Sequence, residues 1–484
     1  MKFSSSHHAF GLMRSAIFFA ALAFFLPARA ADVPAFWKFA DQPPMGWNSW
    51  DCFGTTITED QTKAEADYMA KNLKAHGWQY IVVDIQWYEA GHKAARDVQN
   101  YLGNPYLVQG ERFRGTAEYS LDEFGRFVPA PNRFPSAANG AGFKALADYI
   151  HGLGLKFGIH MMRGIPREAV AKNAPIKGTT FHAADVADQS SRCPWNPDMY
   201  GVDLTKPGAQ EYYNSIFEML AQWGVDFVKV DDIARPYHQP EIEAIRKAID
   251  LAGRPMVLSL SPGATPIADG ASVEQNANMW RVSDDFWDTW RDARGGGLFP
   301  QFARLRDWTP FRGPGHFPDG DMLPLGMVKL TQPTKFSRDE QYTLMSLWCI
   351  ARSPLIHGGD LIKTDDFTLS LLTNDEVLAV DQASANNHEL FNHDGFIAWI
   401  ADVPNSEDKY VAVFNTNDVP SGKASVTINL TDCGLSGIVC VRDLWQQKDL
   451  YDTKVQFAPV INPHGAWLFR LSPVKDLSAP LKTN

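Results

Sequence analysis

Phe227-Val228-Lys229-Val230-Asp231 is a nearly unbroken apolar run with one lysine inside it and a carboxylate at its end. A run this short and apolar reads as a strand covered on both faces, the pattern of a parallel sheet. Just upstream, residues 205–223 read as an amphipathic helix. Pro207 falls in its first turn, Tyr213, Ile216, Phe217 and Leu220 share one stripe, and Gly224 stops it. Working outward, 80–84, 155–160 and 256–260 repeat the strand pattern. Residues 58–75 repeat the helix pattern, with Glu59 and Asp60 early, Lys71 and Lys74 late, and His76-Gly77 as the stop. Strand–helix units recurring from about residue 40 to 380 predict an α/β protein built on a (β/α)₈ TIM barrel with insertions. The alternative, an open doubly wound sheet, lacks its G-x-G-x-x-G after the first strand.

Past residue 384 the texture changes. Residues 397–400, 410–414, 424–430, 438–441 and 466–471 are strand-like, with turn residues and no helix between them. This predicts a C-terminal antiparallel β-sandwich over 385–484 after a barrel over 31–384, joined at Ser384-Ala385-Asn386-Asn387. At the other end, Lys2 and Arg14 precede the apolar run 16–26 and the small-residue site Ala28-Arg29-Ala30. Residues 1–30 therefore read as a signal peptide, too short to span a membrane as a mature helix, and the protein is expected in the periplasm or outside the cell.

The 484 residues are 45% hydrophobic and 21% charged, which excludes disorder and coiled coils. The net charge of −11 disfavours nucleic acid as a partner. Of the five cysteines, Cys52, Cys193, Cys349, Cys433 and Cys440, the last two sit in a hairpin-like region. A disulfide and two separate buried thiols are both open there. No C-x-x-C pattern suggests structural zinc.

In a closed barrel the chemistry sits where strands end. The expected strand ends carry Asp84, His160 and Lys229 with Asp231 and Asp232. Asp284 and Asp285 follow the run 279–283, and the loop 313–321 is acidic as well. Converging carboxylates serve either a hard metal ion or glycoside hydrolysis. No H-x-x-x-H or EF-hand spacing is present. Lys229, two residues before Asp231, favours the glycosidase, because a fixed cation keeps a nucleophilic carboxylate ionised. No metal and no cofactor are expected, and the partner is a carbohydrate substrate.

Several motifs occur in the same order as in glycoside hydrolase family 27, the α-galactosidase (melibiase) family. They are Pro43-Pro44-Met45-Gly46-Trp47-Asn48-Ser49-Trp50, residues 80–87, Asn132-Arg133-Phe134-Pro135, Lys229-Val230-Asp231, Trp280-Arg281 with Asp285, residues 313–323, and Ser353-Pro354-Leu355-Ile356. The chain resembles that family from about residue 40 to 385, and in kind beyond. The resemblance implies a retaining, exo-acting α-glycosidase, best matched to α-galactosidase. Asp231 would be the nucleophile and Asp285 the acid/base. Trp50, Asp84, His160, Lys229 and Arg281 would be substrate-binding. For Trp50 a plain core tryptophan is the competing reading, and for the charged residues, Asp284 included, structural ion pairing.

Three positions depart from the family pattern. Ile85 stands where a second acid normally follows Asp84 and helps hold the axial 4-hydroxyl of galactose. His160 stands where tyrosine is usual. Ser259-Leu260-Ser261-Pro262-Gly263 presents no acid on the fifth strand. Cysteines found in many relatives after the second and fourth strands are replaced by Gln86 and Ile233. A kept catalytic pair inside a changed sugar-reading shell points to altered glycone preference, with an isomalto-dextranase as rival within the family. A non-catalytic carbohydrate-binding barrel is the alternative from a different class.

Overall fold

A computed structural model describes residues 33–90, 119–193, 195–196, 198–293, 295–418 and 424–474. The expected signal peptide lies outside the described residues. Eight short strands form the barrel: β1 Met45–Asn48, β2 Tyr80–Val83, β3 Lys156–Met162, β4 Phe227–Asp231, β5 Val257–Leu260, β6 Met279–Arg281, β7 Phe317–Asp319 and β8 Leu355–His357. They pair in the order β7-β6-β5-β4-β3-β2-β1-β8, every pair parallel. The seam between β7 and β8 is closed by Leu323. Its amide donates to the Ile356 carbonyl at 2.8 Å and its own carbonyl accepts from Gly358 N at 3.0 Å.

The strands are mostly apolar and almost wholly buried because helices cover the outside while side chains fill the inside. Helix α1, Glu59–Asn72, starts at a capping box in which Thr58 and Gln61 satisfy each other's backbone amides. Helix α2, Ala209–Trp223, starts four residues later than the sequence suggests. Gly208 is left-handed, with φ 93°, so Pro207 belongs to the preceding turn. Two further expectations shift. β3 runs on to Met162, which leaves His160 inside the strand instead of at its end. The acidic loop 313–321 contains β7.

The C-terminal sheet contains β9 Ala385–His393, β10 Phe396–Asp402, β11 Lys409–Asn415, β12 Val439–Asp443, β13 Lys448–Thr453 and β14 Ala466–Pro473, in the antiparallel order β9-β10-β11-β14-β12-β13. Alternate residues of β11 face opposite cores. Ala412 and Phe414 join a core continuous with the barrel, while Val411 and Val413 pack with Ile428, Phe457 and Leu471. The expected strand 424–430 shrinks to a two-residue ladder, Ile428–Asn429 against Gln456–Phe457. The join is tied down: Asn387 Nδ2 donates to the Ile350 carbonyl at 2.7 Å, and Ile350 belongs to a barrel helix. No disulfide forms among the cysteines, so Cys433 and Cys440 are separate. Among the described residues no helix is long and apolar enough to cross a membrane.

Candidate active site

Residues 229 and 231 are two apart on β4, so both side chains enter the barrel mouth. Lys229 does not pair with Asp231, however. Its Nζ lies 2.9 Å from Asp84 Oδ2, which also accepts from Asn48 Nδ2 at 2.8 Å. Asp84 Oδ1 accepts from the Ile85 amide at 2.8 Å. Burial alone would raise the Asp84 pKa, but Lys229 and then His160 bring it down to about 2. Burial disfavours the Lys229 charge in turn, yet Asp84, Asp231 and Asp321 together push its pKa up. Lys229 and Asp84 are thus a fixed ion pair at the base of the site.

Asp231 is 9% exposed. Its Oδ2 lies 2.9 Å from His160 Nε2, and its Oδ1 accepts from the Asp232 amide at 2.7 Å. His160 was expected to meet the sugar. It pairs in register with Lys229 inside β3, is 1% exposed, and touches the Asp231 carboxylate. It therefore supports Asp231 from behind.

Across the mouth, Arg281 at the end of β6 is buried. It lies 2.7 Å from Asp321 Oδ2 and 3.4 Å from Asp285 Oδ1, and it donates to the Ser283 carbonyl at 3.0 Å. The Asp285 side chain is 63% exposed. Asp284 forms an exposed ion pair with Arg235 at 2.5 Å, the structural alternative foreseen for it, and both residues line the rim of the same cavity. A cavity of about 580 Å³ brings these groups together. Trp50, Asp84, Lys229, Asp231, Arg281 and Asp285 all line it, and Ile85, Trp195 and Trp287 give it apolar wall. Trp50 is half-buried, lines that cavity and also packs on the core.

Three acids lining this cavity, Asp51, Asp292 and Asp321, were not singled out from the sequence. Asp321 follows β7 and accepts from the Phe286 amide at 2.7 Å. Burial, then Asp285 and Asp319, drive its pKa up to about 7 against the pull of Arg281. Asp51 is 1% exposed and its Oδ2 has no hydrogen-bond partner. Burial, followed by Asp321, Asp285 and Asp84, raises its pKa well above the ordinary carboxylate range, with Lys229 opposing. Burial among other acids favours the protonated form of such a carboxyl. The position of Asp321 in an acidic loop was a usable signal. Asp51 gave none beyond standing next to Trp50. Among the described residues no cluster of three His, Cys, Asp or Glu side chains is arranged to hold a metal ion.

The chain as a whole has counterparts among known proteins. The chain matches the family Alpha galactosidase A over residues 196–383 and the Alpha galactosidase C-terminal beta sandwich domain over residues 393–471. It is 27% identical over 440 residues to an alpha-galactosidase of Oryza sativa subsp. japonica, covering 89% of this chain and 85% of the relative. An alpha-galactosidase of Cyamopsis tetragonoloba is 28% identical over 443 residues, covering 89% and 86%. Among solved structures, a β-L-arabinopyranosidase of family 27 from Geobacillus stearothermophilus superposes with a TM-score of 0.84 at 48% identity, covering 91% of this chain and 99% of that one. The chain belongs to glycoside hydrolase family 27.

Proposed function

We propose that this family 27 hydrolase removes terminal pyranosyl residues of α-galacto configuration, with β-L-arabinopyranose as its preferred glycone. The two sugars share the ring and the 2-, 3- and 4-hydroxyls, and the arabinoside lacks the exocyclic hydroxymethyl of galactose. The broader activity is that of an α-galactosidase-like, retaining, exo-acting glycosidase. The observation that carries the glycone preference is Ile85, a buried branched side chain on the cavity wall beside Asp84. An apolar residue removes an acceptor and fills space where a relative offers a carboxylate. The axial 4-hydroxyl is common to both sugars and does not separate them; in this reading Ile85 also faces the exocyclic arm of galactose, so the glycone that lacks this arm loses less there. The 48% identity to a β-L-arabinopyranosidase, against 27–28% to the α-galactosidases, supports the same reading.

In this reading Asp231 attacks the anomeric carbon and forms a covalent glycosyl-enzyme. Asp285 protonates the departing oxygen and then takes a proton from water. Asp231 is buried and held from two sides, as attack from a fixed position requires. Asp285 stands exposed in the mouth, where the leaving group departs and water enters. Asp84, Lys229, Arg281 and Asp321 bind the ring hydroxyls, and Trp50 lies against the sugar. The test is kcat/KM on matched aryl β-L-arabinopyranoside, α-D-galactoside and α-D-glucoside. The arabinoside is expected to lead and the glucoside to trail. A lead for the glucoside would replace this reading with the isomalto-dextranase one, and a lead for the galactoside would leave Ile85 without the role given to it.

We also infer export. The support is the basic start, the apolar run 16–26 and the Ala28-Arg29-Ala30 site. Mass analysis of the secreted or periplasmic protein should find Ala31 as its first residue, and retention of residues 1–30 would refute this.

A further inference from the structure

The residue after Asp231 has an unusual backbone. Asp232 is left-handed, with φ 57°, in a region L side chains rarely occupy. That geometry has a use, because the Asp232 amide donates to Asp231 Oδ1 at 2.7 Å. It also has a visible restraint. Arg163, the residue directly after β3, donates from Nε to the Asp232 carbonyl at 2.7 Å and from Nη2 to Asp232 Oδ2 at 2.7 Å. Its backbone amide donates to the Asp231 carbonyl at 2.9 Å. The other arm of the fork, Nη1, reaches Glu241 Oε1 at 2.7 Å and Ser191 Oγ at 3.1 Å. Glu241 lies in the first turn of helix α3, Gln239–Ala252, and accepts from Tyr213 of α2. All three charged side chains are buried.

We infer that Arg163 is a positioning residue for Asp231, because it locks Asp232 in the left-handed turn that aims its N–H at the Asp231 carboxylate. The inference rests on reading Asp231 as the nucleophile. The arrangement fits a brace for a strained turn: a planar guanidinium grips one residue at two atoms and is itself held by a second acid from a different helix. Many relatives place a cysteine at the position occupied here by Ile233. In this chain the same turn is gripped by an ion network. Arg163 does not line the cavity, so its influence on the reaction passes through Asp232.

The experiment compares Arg163→Met, Arg163→Lys and the double variant Arg163→Met with Asp232→Gly, each checked for folding by circular dichroism. The readout is the pH profile of kcat/KM on an aryl glycoside. The titratable groups around Asp231 are His160, Lys229, Arg281, Asp232 and Arg163 itself, with the Cys193 thiol nearby, and the variants change only Arg163 and, in the double variant, Asp232. Arg163→Met should lower kcat/KM about 100-fold through misplacement of the nucleophile. Its acidic limb should move to higher pH by roughly one to two units, because the ionised Asp231 loses a hydrogen bond. Lysine keeps the charge but not the fork, so Arg163→Lys should fall between. The double variant should recover at least about tenfold over Arg163→Met, since glycine accepts φ 57° without strain. A folded Arg163→Met with a wild-type acidic limb overturns the proposal, even if its melting temperature falls. If Arg163→Met does not fold, a wild-type limb in Arg163→Lys overturns it equally. Asp231→Gly with azide is the separate control: failure to form an inverted glycosyl azide would refute the nucleophile assignment itself.

Discussion

The two carboxylates of the proposed catalytic pair live in opposite surroundings. Asp231 is buried in the barrel end, with one oxygen on His160 and the other on the Asp232 amide. Asp285 is mostly exposed, and its contact with Arg281 is a long one at 3.4 Å, while the same guanidinium sits 2.7 Å from Asp321. The difference matches the two tasks. A nucleophile benefits from a fixed position and loses little by meeting no water. An acid/base must reach first a leaving group and then a water molecule, both of which enter through the mouth.

Removing each carboxylate should therefore give different failures. Asp231→Asn should cost roughly 10⁴-fold or more in kcat for every substrate, as removal of a nucleophile does. Asp285→Ala should cost roughly 10²- to 10⁴-fold with a poor leaving group. With a dinitrophenyl leaving group, which needs no proton, the first step should be nearly spared. Azide should rescue Asp285→Ala with retained configuration and Asp231→Gly with inverted configuration. Equal losses across leaving groups, or the same product from both variants, would erase the distinction drawn between the two residues.

A smaller effect tests the wall against the floor. Ile85→Asp should shift the ratio of kcat/KM for α-galactoside over β-L-arabinopyranoside upward by roughly 10- to 150-fold, the worth of one charged hydrogen bond. An unchanged ratio would show that position 85 does not read the glycone.

The smallest effect concerns Asp51, the acid without a partner. Its folded-state pKa lies above its unfolded value, so the native state binds the extra proton and stability falls as pH rises above about 4. Asp51→Asn keeps the shape and removes this penalty. Its melting temperature should exceed wild type at pH 7 by about 2 °C or more, and the gap should close below about pH 4. A variant less stable than wild type at pH 7 would mean that Asp51 is ionised and paired.

Much of the barrel was legible because several of its strands are short, largely apolar runs, two of them leading into Asp84 and Asp231. Strands β2 and β4 and the helix capped by Thr58 needed no tertiary information. The runs that escaped are short or polar. β7 is only Phe317–Asp319, with a proline in it. β9 and β13, the two edges of the C-terminal sheet, carry few buried residues, so no alternation marked them. In the site, position along a strand could be read, but partnership could not. Lys229 was read beside Asp231 because the two are neighbours in sequence, whereas its partner Asp84 comes from a strand 145 residues away. His160 was misplaced because β3 continues for two residues past it. Asp51 and Arg163 gain their meaning only from groups that folding brings to them.

The central claim is that Asp231 carries the sugar during turnover. An aryl glycoside with fluorine on the sugar ring slows hydrolysis of the glycosyl-enzyme and lets it accumulate. Proteolysis and mass mapping of the trapped enzyme should then place one added glycosyl group on Asp231, with Asp285 unmodified. A label on any other residue, or full inactivation of Asp231→Asn by the same reagent, would contradict the account.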